Sequence, residues 1–125
     1  MKVTAEKNEQ IANMVFSSIY PLYLNRLEKK GRTKEEFHQV IKWLTGFDDE
    51  DLQALIDAKA TYRTFFEKAN MHPNAHMIKG VVCGYRIEDI EDEFALYKQC
   101  RQLEKLIDEL AKGRKMDKIL RQEKK

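Results

Sequence analysis

Glu93-Phe94-Ala95-Leu96-Tyr97-Lys98-Gln99-Cys100-Arg101-Gln102-Leu103-Glu104-Lys105-Leu106-Ile107-Asp108-Glu109-Leu110-Ala111-Lys112-Gly113 decides the fold class of this chain. Leu96, Cys100, Leu103, Ile107 and Leu110 recur at alternating spacings of four and three residues, the period of one helical face. Gly113 ends that helix, and Met116, Ile119 and Leu120 predict a short further turn in a basic background. The spine spans about two heptads, short for an autonomous coiled coil, so it is expected to pack onto the chain's own core. A homodimer through the helix carrying Leu96, Leu103 and Leu110 is the alternative.

Earlier segments read the same way. Ile11, Met14, Val15, Ser18, Leu22 and Leu27 have helical spacing from about Asn8, interrupted by Pro21. The proline predicts either a kink or a second helix capped by Ser17 or Ser18. Lys29-Lys30-Gly31 reads as a helix end. Thr33-Lys34-Glu35-Glu36 is a capping box, and Phe37, Val40, Ile41 and Leu44 follow at one-face spacing up to Gly46. Asp48 then caps a helix that turns Leu52, Leu55 and Ile56 inward, and a short helix from Thr61 carries Tyr62, Phe65 and Phe66. The expected fold is mainly α: one compact helical domain over residues 1–125, with tails at about 1–7 and 121–125. Residues 77–90 are ambiguous. They read as a helix over 74–83 ending at Gly84, which is preferred because a lone strand lacks a partner, or as a short extended segment near 79–87.

Composition bounds function. The chain has 125 residues, 42% of them hydrophobic and 35% charged, with a net charge of +2. That balance suits a helical protein with solvated faces and implies no polyanion partner by itself. Basic residues concentrate at 26–34 and 112–125, acids at 48–51 and 88–93. With two cysteines, no apolar leader and no apolar run near the roughly 20 residues of a membrane span, the expectation is a reduced, cytoplasmic protein outside the membrane.

Gly80-Val81-Val82-Cys83-Gly84-Tyr85-Arg86, followed by the acids from Glu88, mixes the most chemistry in the fewest positions. It carries no phosphate-loop lysine and no dinucleotide fingerprint. A site, if present, is expected where Tyr20, Trp43, Cys83 and Arg86 converge, with Arg86 anchoring an anion between aromatic walls. Cys83 is a nucleophile candidate that lacks a base at a defined spacing, although His38 offers one through the fold; an inert packed thiol is the preferred reading. His72, His76 and Cys83 form a weak metal set, because Pro73 removes His72 from helical register; no metal or cofactor is expected. The helix-turn-helix-like segment 33–57 begins its second helix with four acids, which argues against specific DNA binding. The basic C-terminal segment with Lys112, Arg114, Lys115, Lys118 and Arg121 leaves a nonspecific nucleic-acid contact as a further alternative.

Several blocks also resemble a known family. They are Asn8-Glu9-Gln10-Ile11-Ala12, Tyr20-Pro21-Leu22-Tyr23, Lys30-Gly31-Arg32-Thr33-Lys34, Trp43-Leu44-Thr45-Gly46, Gly80-Val81-Val82-Cys83-Gly84 with Arg86, and Lys105 to Gly113. In this order, over nearly the whole chain, they are similar to the small bacterial proteins of domain-of-unknown-function family 2200. The family pattern has a proline after the acidic pair where this chain has Glu93-Phe94. The resemblance implies a bacterial cytoplasmic protein and transfers no catalytic residue. The functional expectation is a small non-enzymatic binding or interaction domain, with an enzyme or anion site using Cys83 and Arg86 as the alternative.

Overall fold

The structure, a computed structural model, describes residues 3–82 and 84–121. These form α1 (Ala5–Ala12), α2 (Phe16–Lys29), α3 (Lys34–Thr45), α4 (Asp49–Asp57), α5 (Tyr62–Lys68), a hairpin of β1 (Val81–Val82) and β2 (Tyr85–Arg86), α6 (Ala95–Ala111) and α7 (Met116–Ile119). Short 3-10 turns at Pro73–Met77, Ile87–Asp89 and Asp92–Phe94 link the later elements. The helix α6 is the hub: α1, α2, α3, α5, α7 and β1 all pack on it. Leu103, Leu106, Ile107 and Leu110 are fully buried there, alongside Phe16, Leu27, Phe37, Ile41, Leu44 and Phe65. Removing each such side chain from water stabilises the fold by about 1.5–3 kcal/mol. Leu103 and Leu110 are consumed by this core, so a second copy meeting α6 would have to use other residues.

Local chemistry explains most helix ends. The Thr33–Glu36 capping box is formed in both directions, and Gly46 leaves α3 with φ 75°. Asp48 and Asp51 make a second box that starts α4. At α6 the start is set from afar. Phe94 supplies no cap, and the amide of Tyr97 in the first turn instead donates to Asn8 Oδ1 of α1 at 3.0 Å. Cap and helix are 89 residues apart in sequence.

Two expectations need correction. Pro21 does not start a second helix: α2 runs through it, and neither Ser17 nor Ser18 is the cap. The break falls at residues 13–15, because that backbone pairs elsewhere. Tyr62 N donates to Met14 O at 2.8 Å, and Phe16 N donates to Ala60 O at 2.9 Å. The preferred helix over 74–83 is a 3-10 turn followed by the hairpin, since β1 finds its partner immediately downstream. The described residues at both ends make defined contacts. Thr4 caps α1, Lys7 Nζ donates to Tyr85 OH at 2.6 Å, and Arg121 grips Glu109 at 2.6 and 2.7 Å. Among the described residues no helix is long and apolar enough to cross a membrane.

Candidate functional site

The hairpin pairs Val81 with Arg86 and Val82 with Tyr85, antiparallel. Side chains alternate across it: Val82 and Tyr85 turn inward and are buried, whereas Val81 is 51% exposed and Arg86 57% exposed. Gly84 adopts φ 83°, a conformation costly for a side chain with a Cβ. Gly80 opens the hairpin at φ 111°, and a Cβ there would lie 3.3 Å from the Lys105 side chain, so α6 passes close beneath it. The backbone of Gly80 is fully engaged: its carbonyl accepts from Ile87 N at 2.9 Å, and its amide donates to the Glu88 carboxylate at 3.1 Å. That amide holds the Glu88 carboxyl below its ordinary range.

Val81 stands between two depressions. One, of about 400 Å³, is walled by Val3, Tyr85, Ile90 and Phe94, with Arg86 and Asp89 at its rim. Arg86 meets the Asp89 carboxylate at 3.9 Å, and both are exposed, so the pair contributes little. The other, of about 380 Å³, lies between α2 and α6 and is lined by Tyr23, Arg26, Val82, Glu104, Asp108 and Lys112. Asp108 joins its walls, held by Arg26 at 2.9 Å and Lys112 at 3.0 Å.

Behind the hairpin runs a polar network. Arg101 donates to both oxygens of Glu104 at 2.7 and 2.6 Å and to Tyr97 OH at 2.8 Å. Its guanidinium lies over the Tyr97 ring at 4.7 Å and the Tyr85 ring at 5.8 Å. Tyr23 OH and the Cys100 thiol both donate toward Glu104 Oε1, at 3.4 and 3.8 Å. Tyr62 OH is buried facing Tyr23 and Cys100 without a well-formed hydrogen bond. Burial, reinforced by the Glu104 charge, pushes the Tyr23 phenol and the Cys100 thiol well above their ordinary values. Both are protonated at neutral pH, so neither is a nucleophile or a base. The network holds α2 and the hairpin in register on α6.

Sequence-predicted candidates fall in different places. Tyr20 hydrogen-bonds through its hydroxyl to His38 Nε2 and stacks on Phe37 at 5.2 Å. His38, raised as a base for Cys83, is thereby engaged with Tyr20. Trp43 stacks on His72 at 4.2 Å. Only Arg86 lines a hairpin depression; no hydrogen bond or ring contact joins Tyr20, Trp43 and Arg86 among the described residues. Cys83 lies outside them. Of the weak metal set, His72 Nδ1 accepts from Asn74 N at 2.9 Å and His76 Nδ1 meets Pro73 O at 2.8 Å. Among the described residues no three His, Cys, Asp or Glu side chains are grouped to hold a metal. Sequence reasoning missed Tyr23, Arg101 and Glu104. The signal was present in Tyr97, Arg101, Glu104 and Asp108, which share one helical side at spacings of four, three and four.

Comparison with known proteins bears on the family. The model of a family described as "Uncharacterized protein conserved in bacteria (DUF2200)" matches residues 10–121. The crystal structure of uncharacterized protein SP1917 is similar, with 39% sequence identity and a TM-score of 0.81, over 90% of this chain and 91% of that one. No curated protein matches.

Proposed function

Because this chain belongs to the DUF2200 family of uncharacterised bacterial proteins, whose description names no activity, we propose from its geometry that it is a small non-enzymatic binding or interaction domain of the cytoplasm. The hairpin is its binding element. One observation carries this reading: the hairpin turns Val81 and Arg86 outward beside an apolar-walled depression, while the ionisable groups beneath it are protonated or paired. An exposed arginine whose acidic neighbours Asp89 and Glu88 are themselves exposed is a ready anchor for a carboxylate or phosphate, and Ile90 and Phe94 offer apolar surface to the rest of such a ligand. The reducing cytoplasm suits a chain whose Cys100 is a buried free thiol.

The reading is tested by titrating the isotopically labelled protein with benzoate, a minimal aromatic carboxylate, and following amide shifts. Shifts centred on Val81, Arg86 and Phe94, and lost in Arg86→Ala, are expected. Shifts confined to the surroundings of Tyr20 or Trp43, or no shifts at all, would contradict it.

A further inference from the structure

The tripeptide Lys-Gly-Arg occurs twice, at 30–32 and at 112–114, and the fold sets the two copies side by side. Tyr23 meets Glu104, Arg26 meets Asp108, and Arg32 Nη1 donates to Arg114 O at 3.0 Å. Partners advance together along both chains, so α2 and α6 run parallel and end at the same pole. Their ends are built alike. Gly31 N donates to Glu28 O and Arg32 N to Leu27 O at 3.0 and 2.9 Å; Gly113 N donates to Leu110 O and Arg114 N to Glu109 O at 3.0 and 3.1 Å. Both glycines are left-handed, at φ 81° and 87°, with open space where a Cβ would stand.

This pole gathers charge that the sequence keeps some 80 residues apart. Residues 26–36 and 105–121 together hold eleven Lys and Arg against six Asp and Glu, in a chain of net charge +2. Several of those carboxylates are already neutralised within the fold: Glu36 by Arg32, Asp108 by Arg26 and Lys112, and Glu109 by Arg121. Lys29, Lys30, Lys112, Arg114, Lys115 and Lys118 are exposed, of which Lys112 and Arg114 also pair with Asp108 and Glu109. Cations at helix C-termini offset the helix dipoles, but two helix ends amount to only about one negative charge. Lys29, Lys30, Lys115 and Lys118 alone exceed that several-fold. The exposed large hydrophobics among the described residues are Met14, Leu22, Met77 and Val81, none of them in these two segments. A protein partner needs an apolar centre to its contact, whereas a phosphate backbone needs only spaced cations.

We propose that the paired Lys-Gly-Arg helix ends form a single face that binds the phosphate backbone of nucleic acid without reading its sequence. The face is separate from the hairpin depression that lodges Arg86. The test is fluorescence anisotropy with a labelled single-stranded oligothymidylate of about twenty nucleotides across a salt series. Binding at low salt should weaken with a log–log slope of about −2 to −4, at about −0.7 per phosphate contact. Lys29→Glu/Lys30→Glu and Lys115→Glu/Lys118→Glu should each weaken binding about tenfold or more, since each pair serves the same face from a different helix. Lys59→Glu/Lys68→Glu, on the depression beside α4 and α5, should leave it within about twofold; circular dichroism confirms that each variant is folded. Absent binding at low salt, equal losses in all three variants, or a loss confined to the 115/118 pair would each overturn the joined face. Displacement by polyglutamate as readily as by unlabelled DNA would overturn the nucleic-acid assignment. Arg86→Ala should leave this binding intact, so failure here is distinct from failure at the hairpin.

Discussion

Along one side of α6, Leu103, Leu106, Ile107 and Leu110 are sealed from solvent; along another, Tyr97, Arg101, Glu104 and Asp108 form a stripe that grows more exposed toward the helix end. The apolar side contributes through area, and any well-filled packing of its neighbours would satisfy it. The polar side contributes through direction. Arg101 and Glu104, 13% and 17% exposed, fix where Tyr23 of α2 and the Tyr85 ring of the hairpin must sit. One side gives the fold most of its stability and the other gives its elements their register. The hairpin then presents Val81 and Arg86 from a fixed base.

Substitutions along α6 test that division. Leu103→Ala, which empties a fully buried position, should cost about 2–5 kcal/mol in chemical denaturation; a loss under about 1 kcal/mol would mean that the apolar side is not the main source of stability. Arg101→Met or Glu104→Leu should each cost about 1–3 kcal/mol, because each leaves the other charge half-buried without its counter-charge. The double substitution should recover much of that loss while broadening the hairpin amide signals, the mark of register lost apart from stability. If the double variant is as unstable as the sum of the singles, the pair is not coupled as described.

Asp108 at the outer end should matter least. Asp108→Asn is expected to cost less than about 1 kcal/mol at neutral pH, as for other partly exposed ion pairs. Partial burial raises the Asp108 carboxyl, but Lys112 and Arg26 outweigh it and hold it below its ordinary value. Its contribution is therefore present above the unfolded-state value of about 4 and lost as pH falls through the lower folded value. Acid titration of stability should be shallower in Asp108→Asn than in the parent below about pH 4; identical profiles would sink the pairing.

How much of this was legible in the sequence depended on the distance over which each feature is decided. The Thr33 capping box and the buried run Phe37, Val40, Ile41 and Leu44 depend on neighbours within two turns, and they appear where the spacing put them. The apolar spine of α6 is legible for the same reason. The interruption at residues 13–15 is made by the backbone of residues 60–62, which no local pattern announces. The hairpin pairs two residues per strand, too few for alternation to register as a period. The polar stripe of α6 resembled a solvated face because its partners, Tyr23 and Tyr85, come from other elements. Tyr20 and Trp43 drew notice as large aromatics, yet each is engaged by a histidine, His38 and His72.

The proposal that the ionisable groups beneath the hairpin hold structure rather than react is tested most directly at Cys100. In a Cys83→Ser variant, with Cys100 the remaining thiol, alkylation by iodoacetamide is followed in native protein as a function of pH. The account predicts labelling that proceeds only as the protein unfolds, with no titration step in the neutral range, because burial keeps the thiol protonated. Fast native-state labelling that rises through a step near neutral pH would show an accessible thiolate and contradict it.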